Sequence, residues 1–197
     1  MMIVLASGSR ARADMLQSAG VEVAIHPARI DEAAIKASLL AEGAPPRDVA
    51  DKLAELKALR TGARHPATLV LGADQVLVHD GEILDKPETL TEARAHLRRL
   101  RGQRHELLSA AVITAQGAPV WRHVGQAQLT MRPFSDAFLD DYLARIGDAA
   151  LTSVGAYQLE GLGAQLFARV DGDYFTVLGL PLLEVLGFLR ARGVLAE

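Results

Sequence analysis

Two short apolar runs, residues 3–6 (IVLA) and 68–73 (TLVLGA), each stop abruptly at polar side chains, and they constrain the fold most. Runs of this length, partly β-branched and bounded by small or polar residues, predict buried strands. Ser7-Gly8-Ser9-Arg10 follows the first run, and Asp74 follows the second. Beyond the first loop, helical spacing spans 11–19, with Met15, Leu16 and Ala19 on one side and Gly20 as the stop. A strand, a loop of small residues and a helix make a phosphate-binding layout, because N–H groups at the helix start point at whatever the loop holds.

The rest of the chain continues this alternation. Strands are predicted at 21–25, 106–115, 120–131 and 166–170, and helices at 31–41, 48–61 and 91–100. Ser135 is placed to cap a helix running to 146, and a last helix spans 180–192, with Pro181 in its first turn and Gly193 at its end. Asp80-Gly81, between 75–78 and 82–84, is a two-residue hairpin signal, and Thr89 with Glu92 matches a capping box. Strands and helices alternate early, and antiparallel pairs come later. The expectation is a mixed α/β fold with a cleft, as one domain over 1–197 in two lobes.

Composition removes several function classes. The 197 residues contain no cysteine, which excludes disulfides, thiolate chemistry and Cys-ligated zinc. A net charge of −3 gives no footprint for nucleic acid or acidic lipid. The apolar stretch at 3–6 is too short for a signal peptide or a membrane span, so a soluble, cytoplasmic protein is expected. There is no G-x-x-x-x-G-K-[ST] loop and no G-x-S-x-G elbow, and no two of the six histidines have helical metal-ligand spacing.

Carboxylates and cations remain. Asp74, following its apolar run, is placed to hold a magnesium ion, to activate water, or to bond its own backbone as a turn residue. Glu32 is either a second oxygen ligand for a hard cation or an acid favoured by a helix's first turn. Lys57 falls at the edge of the stripe made by Val49, Leu53, Leu56 and Leu59, where a solvated amine is expected. Pro87 biases Lys86 to an extended conformation. Arg12 opposes the helix dipole in the first turn, a penalty that an anion bound in the Ser7–Arg10 loop would reverse. With Ser7 and Ser9, these residues describe a polyphosphate site.

Longer stretches carry a resemblance. LASGSRAR is similar to L-A-S-x-S-P-R-R, Ile30-Asp31-Glu32 to I-D-E, and Ala54-Glu55-Leu56-Lys57-Ala58 to a helical E-x-K-A. GADQVLVHDGEILDKP resembles G-A-D-[TQ]-x-V…G-K-P, and Gly102 to Glu106 an S-G-x-x-H-x-V region. GAYQLEGLGAQLFARVDGDYFTVLGLPL resembles G-x-Y-x-[QE]-G…V-x-G-L-P. In this order, over residues 3 to 190, they resemble the Maf family of nucleoside triphosphate pyrophosphatases.

The resemblance implies an elongated central sheet flanked by helices, with a deep cleft, as in inosine triphosphate pyrophosphatases. It implies hydrolysis of a nucleoside triphosphate to the monophosphate and pyrophosphate with a divalent cation, Mg²⁺ or Mn²⁺, and a homodimer. Asp74 matches the catalytic aspartate and a metal position shared with Glu32, while Ser7, Ser9, Arg12, Lys57 and Lys86 match substrate-binding positions. Arg10-Ala11 departs from the family's Pro-Arg, and Ala11 stands at a position linked to substrate choice. Gln75 and Glu160 replace the Thr and Gln that go with dTTP and UTP, and they match the subgroup acting on 7-methyl-GTP. A carboxylate accepts from the N–H donors of a guanine edge, which gives that match a physical basis. Housecleaning of odd nucleotides is one implied role. The alternative is a nucleotide-binding regulator of cell division, since the family is associated with inhibition of septum formation.

Overall fold

A computed structural model describes residues 2–196. Its seven strands are β1 (Ile3–Leu5), β2 (Val23–Ile25), β3 (Val70–His79), β4 (Glu82–Leu84), β5 (Arg104–Ala115), β6 (Ala118–Met131) and β7 (Phe167–Asp171). They form one mixed sheet in the order β2-β1-β3-β5-β6-β7, with β4 paired to β3. β1 runs parallel to both β2 and β3, whereas β4 on β3 and β7 on β6 are antiparallel. Seven α-helices accompany them: α1 (Arg10–Ser18), α2 (Glu32–Ala41), α3 (Pro46–Gly62), α4 (Leu90–Leu100), α5 (Asp136–Ile146), α6 (Tyr174–Val177) and α7 (Leu182–Ala191). Short 3₁₀ turns occupy 147–151, 154–156 and 162–166. The mixed α/β class expected from the alternation is therefore what forms. No described helix is long and apolar enough to cross a membrane.

Two compact units divide the chain. The first comprises 1–75, 108–125 and 173–197. Its core joins Ile3 and Leu5 of β1, Leu16 of α1, Leu71 and Ala73 of β3, Ile113 of β5, and Val185 and Leu189 of α7. Side chains alternate across a strand, so Val70, Gly72 and Asp74 share the opposite face of β3. That face receives α3. A Cβ on Gly72 would lie 2.6 Å from the Ala58 backbone nitrogen, so the strand and helix backbones touch where only glycine fits.

The second unit comprises 76–107 and 126–172. Here Thr89 Oγ1 accepts from the Glu92 N–H at 3.1 Å, while the Glu92 carboxylate reaches back to the Glu88 N–H at 2.8 Å. The expected capping box thus forms with its return bond one residue early. Ser135 caps α5 as expected, accepting from the Phe138 N–H at 3.1 Å. His105 is buried, with Nε2 2.8 Å from the Tyr157 hydroxyl.

Three sequence expectations need correction. Residues 70–73 and 75–78, from two separately predicted strands, belong to one ten-residue strand that starts at Val70 and not at Thr68, so Asp74 lies inside β3 and not after its end. The buried face of α3 carries Val49 and Leu53 as expected, with Ala50, Ala54, Lys57, Ala58 and Thr61, while Leu56 and Leu59 are only partly covered. Helix α6 was not anticipated, because four residues are too few to establish a helical period.

Candidate active site

Register and close approach build this site. Gly72 rests against Ala54 and Ala58, and Asp74 stands two residues further along the same face of β3. On α3, Lys57 precedes Ala58 and follows Leu53 by about one turn. The Lys57 ammonium therefore reaches the carboxylate, and Nζ donates to Asp74 Oδ1 at 2.6 Å. It also donates to Glu32 Oε2 at 2.9 Å, from the first residue of α2. Lys57 and Asp74 are each 7% exposed, which overturns the expectation of a solvated lysine. The two small alanines beside it let α3 sit close enough to bury the stem.

Arg12 is also buried, and its bonds are specific. Nε donates to the Gly179 carbonyl at 2.7 Å, and Nη1 donates to the Ala73 carbonyl at 3.1 Å and to Ser7 Oγ at 3.0 Å. Burial lowers the guanidinium pKa, while the charges of Asp74 and Glu32 work to raise it. The misfit with the α1 dipole is thus answered within the protein, by carbonyls and carboxylates. Nη2 makes no hydrogen bond among the described residues and keeps two donors.

The loop before α1 is arranged by its serines. Ser9 Oγ accepts from the Arg12 N–H at 3.4 Å as the helix N-cap, and Ser7 Oγ accepts from the Ser9 N–H at 3.2 Å. Ala11 is half-buried in the first turn. Arg10 points outward, its side chain 95% exposed and 3.6 Å from Asp14.

Gln75, on the other face of β3, has one orientation. Its Nε2 lies 3.1 Å from the Thr176 carbonyl, 3.0 Å from the Val177 carbonyl and 2.9 Å from Ser109 Oγ. Ser109 spends its single proton on the Thr176 carbonyl at 2.7 Å, so it must accept from Gln75. Carbonyls cannot receive the amide oxygen, so Oε1 is the atom left to face elsewhere. Gly179 flanks it: a Cβ there would stand 3.6 Å from Oε1 and 3.5 Å from Arg12 Nη2.

The structure therefore brings together Ser7, Ser9, Arg12, Glu32, Lys57, Asp74 and Gln75 in the first unit. Lys86 and Glu160 belong to the second unit, and both are exposed. Glu160 sits in the turn after Gln158, where the Gly161 N–H donates to the Gln158 carbonyl at 3.2 Å. Burial pushes the Tyr142 hydroxyl above its ordinary range, and the negative charge of Glu160 adds to this. Sequence reading missed Ser109, the carbonyls of Thr176 and Val177, and the Gly72 contact. A serine inside the apolar run of β5 was the available signal for Ser109.

The donor set suits a hard cation. Glu32 and Asp74 offer oxygen only, and each keeps one oxygen not engaged by Lys57. Among the described residues no cluster of three or more His, Cys, Asp or Glu is assembled. Two carboxylates, with the remaining ligands from water and phosphate, match the habit of Mg²⁺.

Comparison with known proteins gives the family. The Maf-like protein family model matches residues 2–192. A nucleoside triphosphate pyrophosphatase of Ruegeria pomeroyi is 53% identical over 98% of this chain and 97% of its own. Proteins of the same name from Paramagnetospirillum magneticum and Caulobacter vibrioides are 55% and 52% identical, each over 98% of this chain and covering 99% and 96% of their own lengths. With the family model spanning nearly the whole sequence, this chain belongs to the Maf-like proteins.

Proposed function

We propose that this protein is a nucleoside triphosphate pyrophosphatase, hydrolysing its substrate to the nucleoside monophosphate and pyrophosphate. The observation that carries the reading is one buried ammonium, Lys57, holding two carboxylates from separate elements. A protein that only bound nucleotides would have little use for a buried carboxylate with an open oxygen, so the enzyme reading is preferred over the regulator. The printed names of the relatives agree with it.

Each group then has a task. Asp74 Oδ2, not engaged by Lys57, accepts a proton from the attacking water. Lys57 holds that carboxylate in place through its bond to Oδ1. The Nη2 donors of Arg12 and the N–H groups at the start of α1 receive phosphate oxygens, with Ser7 and Ser9 setting the loop. Lys86 supplies a further cation for phosphate. Glu32 and Asp74 would hold Mg²⁺ or Mn²⁺, which supplies charge neutralisation at the phosphates when bound.

The base is read by acceptors. Gln75 presents Oε1 because its amine is spent on protein oxygens, and Glu160 carries a carboxylate. A guanine edge offers N1–H and N2–H₂ donors, whereas uracil or thymine offers one, so a guanine-type or 7-methylated guanine triphosphate is favoured. Chelation provides the direct test. Pyrophosphate release should vanish in excess EDTA and return with Mg²⁺ or Mn²⁺; undiminished release in EDTA would contradict the metal assignment.

A further inference from the structure

Several exposed arginines of this chain sit in ion pairs, as Arg98 with Asp136, Arg99 with Glu82 and Arg145 with Asp141. Arg29 and Arg64 do not. Neither side chain makes a hydrogen bond or ion pair among the described residues. Both line the same recess, of about 410 Å³, together with His26 and His65. The two imidazole rings stand 4.7 Å apart, tilted by 59°. Buried Thr61 forms part of the wall and donates to the His26 carbonyl at 3.4 Å, tying the loop after β2 to α3. No carboxylate among the described residues lines the recess.

Two permanent positive charges, ring nitrogens and no acid in one concavity suit a multiply charged oxyanion. The chain as a whole carries −3, so this is a local feature and not part of a general basic surface. We propose that the recess formed by His26, Arg29, Arg64 and His65 is a second anion site, which takes a phosphate-bearing ligand. It is separate from the candidate active site, since none of Glu32, Lys57 and Asp74 lines it. It is nevertheless near: Thr61 lies one helical turn beyond Lys57 on α3, and the loop from His26 leads into Asp31 and Glu32. Inorganic pyrophosphate is the ligand that the proposed reaction itself supplies. That choice of source rests on the proposed function, but the site does not.

The test follows the imidazole resonances of the full ¹⁵N-labelled chain during titration with inorganic pyrophosphate at constant pH. The His26 and His65 signals are assigned from His26→Gln and His65→Gln. Saturable shifts of both signals are expected, absent with sodium chloride at matched ionic strength. They should weaken roughly tenfold or more in the Arg29→Gln/Arg64→Gln variant, whose other four histidine signals and turnover stay at wild-type values. No shift, an equal response to chloride, or undiminished binding in the double variant would overturn the site. A nucleoside monophosphate run in parallel checks the source: tighter binding of pyrophosphate upholds it, and tighter binding of the monophosphate overturns it. Were every triphosphate left unhydrolysed while pyrophosphate still saturated these signals, the proposed function would fail and the site would stand.

Discussion

Ser109 bears on substrate choice without touching substrate. Fully buried, it gives its proton to the Thr176 carbonyl and receives one from Gln75. Ser109→Ala removes that acceptor and leaves the amide held by the Thr176 and Val177 carbonyls alone, so Oε1 is fixed outward less firmly. KM for a guanine triphosphate should rise several-fold with kcat little changed, and preference over UTP should narrow; steady-state kinetics on both substrates read this. An equal loss for both substrates would mean the serine serves folding alone. This residue also marks where sequence reading stops. Asp74, Lys57 and Glu32 could be named from their motifs, yet their shared hydrogen bonds could not, because they join positions 17 and 25 apart in the chain. Spacing along α3 misplaced Lys57, since Leu56 and Leu59 were counted into the buried face, which instead joins Ala50, Ala54 and Ala58 to Val49 and Leu53.

Among elements, the contact of β3 with α3 matters most. A side chain on Gly72 would meet the Ala58 nitrogen at 2.6 Å, and that atom is backbone and cannot swing away. Gly72→Ala should therefore destabilise by about 3 kcal/mol. It should also disturb the Lys57–Asp74 bond, since the helix must move to admit the methyl group. Urea unfolding together with turnover checks both; unchanged values would deny the close approach. Strand and helix types were legible because burial imposes periods of about two and 3.6 residues. The join of 70–73 to 75–78 was not, because an acidic residue inside a strand reads as its end unless its partner is known. Lys57 is that partner.

At the scale of the whole molecule, stability should depend on acidity through His105. Burial, with a smaller contribution from His79, lowers its pKa to about 4. The unfolded chain binds this proton more readily, so the stabilising effect of neutral His105 is complete above pH about 6.5 and is lost as pH falls toward 4. This amounts to about 3 kcal/mol. Unfolding midpoints measured across that window should fall for the wild type and fall less for His105→Gln; parallel slopes would contradict the assignment. The family's ordered motifs made the overall architecture legible, while the residue boundaries of the two compact units came from the structure. The most direct measurement of the central claim is pyrophosphate release by wild type and Asp74→Asn across GTP, 7-methyl-GTP, UTP and dTTP with Mg²⁺. Release by the wild type, led by the guanine substrates and reduced roughly 10²- to 10⁴-fold in a folded Asp74→Asn, is the expected result. Near-normal release by that variant, or none by the wild type from any of the four, would contradict it.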